Sequence, residues 1–183
     1  MLDKPYKFRK ASVSCDMTRP FIKQIIKYVF QLDDITEKKY IYIVEAELYD
    51  YNIYAIKYYP KVLKQHKYKY NILTEQHKAN RIIATCMHII FDIVNRDPFA
   101  NIGFLASRTS DALGDYKEEL RLTKRFRIYA QAFIDFFGPK TYSHFPDKNT
   151  STYLLINNKN NVQEIKKCSE DMFTKIYPGL FSR

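Results

Sequence analysis

Tryptophan is absent from this chain, and glycine and proline are scarce, at 4 and 7 among 183 residues. So little of either excludes collagen-like, low-complexity and loop-dominated chains. Long apolar runs are missing as well. A membrane-spanning helix needs about 20 apolar residues, and the longest candidate, Ile82 to Val94, is interrupted by Thr85, His88 and Asp92. The basic opening, MLDKPYKFRK, has no apolar segment behind it and does not read as a secretory signal. Cys15, Cys86 and Cys168 are odd in number, far apart and without the spacing of a zinc site or a redox pair. His66, His77 and His144 form no metal motif either. These absences point to a cytoplasmic protein with free thiols and no metal.

What is present is a core. Hydrophobic residues make up 46% of the chain and aromatics 16%, enough for one domain of this length to bury a real interior. Acid is under-represented: 30 Lys and Arg against 20 Asp and Glu leave a net charge of +10. That balance favours anionic partners, whether nucleic acid, a phosphate-bearing cofactor or an acidic protein. A general bias toward lysine, isoleucine, asparagine and tyrosine would produce the same number.

Periodicity predicts a basic, poorly ordered arm over 1–15, a single α+β domain over 16–158 and a C-terminal helix over 159–183 packed on it. The domain is expected to hold a mixed, mostly antiparallel sheet flanked by helices. Ile22, Ile25, Ile26 and Val29 lie at helical spacing after a capping Asp16 or Thr18. Residues 39–48 alternate as a strand, Asp50-Tyr51-Asn52 reads as a hairpin turn, and 53–59 reads as its partner strand. A third strand is expected at 67–73, where lysine alternates with tyrosine. Ala79 to Asn95 is the clearest helix, apolar on most of its surface and so packed on most sides. Residues 101–106 form a short apolar strand, which the intervening helix should place parallel to the third strand. A second long helix is expected from about Asp115 to Phe137, with Leu122, Phe126, Tyr129, Phe133 and Phe137 as its apolar stripe. Short strands at 142–145 and 152–157 follow, then a helix capped by Asn161 with Glu164 three residues on.

Helix, three strands, helix, strand, helix and two strands is a succession that resembles the GNAT acyltransferase fold over roughly 17–157. In that family a Gln/Arg-x-x-Gly-x-Gly/Ala turn at the start of the central helix presents backbone amides to the pyrophosphate of coenzyme A, using the positive helix end. The matching residues here are Gln76, His77, Lys78, Ala79, Asn80 and Arg81, with both glycine positions filled, by Ala79 and Arg81. The resemblance implies acetyl-CoA or another acyl-CoA as donor and an amine as acceptor. It also implies Tyr129 as the acid that protonates the leaving thiolate, although Tyr129 sits on the apolar stripe, where a packing role suits it. Glu45 and Glu47 occupy the strand region where such enzymes hold a general base.

A different reading starts from charge. Residues 51–74 contain no acidic side chain, while Lys57, Lys61, Lys64, Lys67 and Lys69 are interleaved with tyrosines. Arg121, Lys124, Arg125 and Arg127 form a second basic group. Lysines meet phosphates and exposed tyrosines stack on bases, so these residues suit a non-catalytic module binding nucleic acid or an acidic protein. His88 and Asp92, four residues apart on a helix, are spaced to pair.

Overall fold

The computed structural model describes residues 4–16, 18–32, 40–72, 78–111 and 113–181. Its elements, in chain order, are β1 (Phe8–Ser14), β2 (Ile22–Leu32), β3 (Tyr40–Tyr49), β4 (Ile53–Pro60), α1 (Ala79–Arg96), β5 (Asn101–Leu105), α2 (Lys124–Phe136), β6 (Tyr142–Asp147), β7 (Thr152–Asn157), α3 (Val162–Ile176) and α4 (Pro178–Phe181). All seven strands form one sheet in the order β1-β2-β3-β4-β5-β7-β6. Every neighbouring pair is antiparallel except β4 and β5, which run parallel because α1 carries the chain back between them. The protein is therefore α+β, as expected.

Strand alternation sends even-numbered residues of the central strands to one face. Tyr28 and Phe30, Tyr42 and Val44, and Ile102 and Phe104 pack there against α1 and α2, forming the main core. Phe133 of α2 meets Phe104, Phe137 and Tyr153 in this layer. The opposite face carries the odd-numbered residues. At one end α3 covers it, with Met172 and Phe173 resting near Tyr49, Ile53 and Leu154.

Four expectations fail, each for a local reason. Residues 22–32 are a strand, not a helix. Ile26, Tyr28, Phe30 and Leu32 alternate into the core, and Ile25 and Val29, which stand among Lys23, Lys27 and Gln31 on the other face, complete the imitation of a helical stripe. The supposed arm contributes β1, paired with β2 through a bulge between Lys10 and Ser12. The lysine–tyrosine alternation at 67–71 is a succession of turns, closed by Lys69 N to His66 O and Asn71 N to Tyr68 O. Ile72 alone makes an isolated bridge, to Ser110, and Leu73 lies outside the described residues. The parallel partner of β5 is consequently β4.

The second long helix starts later than the stripe suggests. Thr123 caps it, its Oγ1 accepting from Phe126 N at 3.1 Å. Upstream, the Asp111 carboxylate accepts from the amides of Leu113, Gly114 and Asp115, a local bonding pattern that competes with helix. Gly114 has φ +98°, and a Cβ there would stand 2.4 Å from Tyr68, so only glycine fits this turn. The hairpin at 50–52 forms as expected, with Tyr51 and Asn52 at φ 59° and 57°. Asn161 caps α3, accepting from Glu164 N at 3.3 Å.

Candidate functional site

The parallel seam is short. Ile53, Tyr54 and Ala55 pair with Asn101, Ile102 and Gly103, and there the ladder ends, although β4 runs on to Pro60 and β5 to Leu105. Below the seam a buried Asn101 locks three segments together. Its Nδ2 donates to Tyr51 O at 2.8 Å, while its Oδ1 accepts from Asn157 N and Asn160 Nδ2, both at 2.9 Å. Beyond the seam Arg125 ties α2 to the turns that follow β4, its guanidinium donating to the carbonyls of Tyr70, Asn71 and Ile72. Ser110 N adds a bond to Asn71 O at 3.2 Å.

Against the seam lies a cavity of about 620 Å³, with Asn71 and Arg125 among its lining residues. Its floor is a row of second-face residues in register, Ala55, Gly103 and Leu154. A Cβ at Gly103 would meet Ile53 Cγ2 at 3.6 Å and Tyr153 O at 3.7 Å, ordinary contacts. The backbone therefore does not require glycine, and what the missing side chain leaves is space. A smaller void of about 50 Å³ on the α1 side shares Tyr58, Gly103, Phe104 and Tyr129 with the large cavity. Walled by the buried Ile83, Cys86, Met87 and Ile90, that void is a packing gap in the core, so the large cavity opens on the α3 face alone.

Tyr129 stands at this junction. Its hydroxyl is 2.5 Å from that of Tyr58, and its ring meets Phe104 edge-on. Burial raises the Tyr129 pKa against the opposing influence of Arg125 and the Tyr58 bond, so the phenol keeps its proton at neutral pH. The Tyr58 hydroxyl is raised well above its ordinary value, first by burial and then by its neighbour. Tyr129 packs against the core, as its apolar stripe suggests, and also lines the cavity.

Glu45 and Glu47 are both buried on the second face of β3, Glu47 at 1% exposure. Glu45 accepts from Tyr70 at 2.7 Å and Tyr59 at 3.0 Å and pairs with Lys27 at 3.3 Å. Glu47 pairs with Lys57 at 2.6 Å and Arg19 at 2.7 Å and accepts from the Tyr49 hydroxyl at 2.7 Å. Burial opposes both charges. For Glu45 it is outweighed by the Tyr70 hydroxyl, Lys69 and Lys27, and for Glu47 by Lys57, Tyr49 and Arg19, so both pKa values lie below the ordinary carboxylate value. Two of Glu47's partners, Tyr49 and Lys57, also line the cavity.

The expected pyrophosphate turn is described from Lys78 onward, and Gln76 and His77 lie outside the described residues. Lys78 is the N-cap of α1 without a side-chain cap bond, and the first turn contains no acidic residue. Ala79 and Asn80 are exposed. Arg81 turns toward the N-terminal segment, with Nε donating to Lys4 O at 2.9 Å and the guanidinium 3.9 Å from the Tyr6 ring centroid.

The basic groups divide. Lys57 is held by Glu47, and Lys69 lies over the rings of Tyr59 and Tyr70 at 4.1 and 4.9 Å. Burial, joined by repulsion from Lys27, Lys57 and Lys64, lowers the Lys69 pKa. Lys61, Lys64, Lys67, Arg121 and Lys124 are exposed, whereas Arg125 makes the tie described above. Asp92 bonds Tyr28 and Arg96, and His88 is exposed with its ring edge-on to Phe91. No group of acidic, histidine and cysteine side chains suited to a metal ion occurs among the described residues. No helix among them is long and apolar enough to cross a membrane.

The chain matches no protein-family model, no curated protein and no solved structure. Its chemistry is read from this site. Ala55, Gly103 and Tyr58 were missed in the sequence. A lone glycine inside the strand pattern at 101–106 was the available signal, because such a glycine marks a bulge or a close approach.

Proposed function

We propose that this chain is a GNAT-like N-acyltransferase, moving an acyl group from acyl-CoA to an amine. The observation that carries the reading is the single parallel pair, β4 and β5, whose ladder ends after three rungs beside a cavity of about 620 Å³. A donor and an acceptor held together in a cavity at such a gap meet at one point, which supplies proximity and orientation. The exposed first turn of α1, free of acid, suits the pyrophosphate of an acyl-CoA, with the amides of Ala79 and Asn80 as donors.

In this reading Tyr129 is the general acid. Its phenol retains a proton at neutral pH and faces the cavity where a thiolate would leave. Glu45 and Glu47 serve as fixed counter-ions to Lys27, Lys57 and Arg19. A carboxylate held below its ordinary range is a weak proton acceptor, so base catalysis is not assigned to either.

Calorimetry with acetyl-CoA tests the proposal. The wild type should bind it, and Asn80→Glu should weaken binding by placing a negative charge at the helix start. Tyr129→Phe should retain binding while acyl transfer to amines falls. Failure of the wild type to bind acetyl-CoA would sink the reading. Binding of oligonucleotides that weakens steeply with salt would then shift function to exposed Lys61, Lys64, Lys67, Arg121 and Lys124.

A further inference from the structure

We infer that the large cavity receives a small planar aromatic amine, the acceptor in the acyl-transfer reading on which this inference rests. Size sets the first limit. A volume of about 620 Å³ falls within the roughly 300–1,000 Å³ of small-molecule pockets. The space exists because Ala55 and Gly103 stand side by side at the last rung of the seam, and α3 spans the floor they make.

The walls set the second limit. Tyr49 and Phe173 meet with ring centroids 5.5 Å apart at one end. Tyr70, Phe145 and Tyr177 line other sides of the same space. Aromatic walls accept a flat ring by stacking or edge contact, and their electron-rich faces attract an ammonium group.

Charge sets the third. Lys57 is paired with Glu47 at 2.6 Å and Lys166 with Glu170 at 3.6 Å. Arg125 donates to backbone carbonyls. Asp147 accepts from Asn149 N at 2.9 Å and Thr150 Oγ1 at 2.8 Å. Each fixed charge on the wall already has a protein partner. A polyamine or a multiply phosphorylated acceptor would have to displace those partners, whereas a ring bearing one amine would not. A lysine side chain carried on a folded protein lacks the ring that these walls address.

The test is calorimetry on the full chain without coenzyme, using phenethylamine and tryptamine against spermidine and a lysine-containing peptide. The aromatic amines should bind at least about tenfold more tightly than either competitor, a difference well within calorimetric range. Gly103→Val, which sets two methyl groups on the floor, should weaken aromatic binding by a similar factor. If that variant does not fold, Thr174→Trp fills the same space from the exposed rim of α3. Spermidine or the peptide binding as tightly as the aromatic amines would overturn the inference. So would the absence of aromatic binding, or binding indifferent to the folded variant. Acetyl-CoA is titrated separately. Aromatic binding without acetyl-CoA binding removes the transfer reading but leaves the ligand class standing, and the reverse result removes this inference alone.

Discussion

The two faces of the sheet are built on opposite principles. On the α1 and α2 side, rings and aliphatic chains interlock, with Phe104 meeting Phe126, Tyr129, Phe133 and Tyr153. On the α3 side, cross-strand neighbours are charged: Lys27, Glu45 and Lys57 lie in one row, and Glu47 stands between Ile25 and Ala55 in the next. The first face is held by packing, which does not respond to pH. The second depends on charges whose partners must all be present, because a buried charge without one is costly. The cavity lies where the two regimes meet, and each contributes what the other lacks: protonated phenols from one, compensated charge from the other.

The largest effect is expected from the packed face. Phe133→Ala should cost about 3–5 kcal/mol through the void left among three rings, by the same amount at pH 5 and pH 8 in urea unfolding. Equal stability of variant and wild type would break the comparison at its first term. Glu47→Ala comes next. It leaves Lys57 and Arg19 without their carboxylate and should cost about 3 kcal/mol at neutral pH. That is the lower end for a broken buried pair, because Arg19 keeps 39% side-chain exposure and can turn to water.

A smaller effect concerns the junction. Tyr129→Phe removes the hydroxyl bonded to Tyr58 and leaves that buried phenol without its partner, so it should cost about 1–2 kcal/mol, whereas Tyr129→Ala should cost about 3 kcal/mol. Thermal melts of the two variants separate the packing role from the chemical one. An alanine variant as stable as the phenylalanine one would contradict the packing.

The smallest effect is a slope. Glu45 and Glu47 are depressed in the folded protein from the ordinary value of 4.5. Their stabilisation is therefore complete above that unfolded-state value and is lost as pH falls through the folded values. Acid titration of stability should fall more steeply for the wild type than for Glu45→Gln/Glu47→Gln. Parallel curves would show that the charged face contributes no pH dependence.

Much of this was legible in the sequence. α1 declared itself because its apolar positions covered most of a helix surface, and the 50–52 hairpin because residues of turn type sat between two alternating runs. Other elements escaped because local pattern and long-range packing gave different answers. Ile25 and Val29 fit a helix with Ile22 and Ile26, yet they face away from Ile26 on the opposite side of a strand. Tyr70 suited a strand by alternation, but its hydroxyl is drawn to Glu45 across 25 residues. Lys57 and Lys69 counted as surface charge until β3 supplied buried carboxylates beneath them. The cavity was least legible of all, since it is made by side chains that Ala55 and Gly103 do not have.

The short seam also has a consequence for how the molecule breathes. Three parallel rungs and the Asn101 clasp join β1 through β4 to β5, β6 and β7, while β2 and β3 are paired along ten registered positions. In hydrogen-exchange terms the seam is a weak line in the sheet, because local opening starts where the fewest backbone bonds must be released. Amides of the seam should exchange ahead of those in β3. A ligand bridging the parted strands would slow them first, making exchange at residues 53–55 and 101–103 a reporter of occupancy that needs no assay of chemistry.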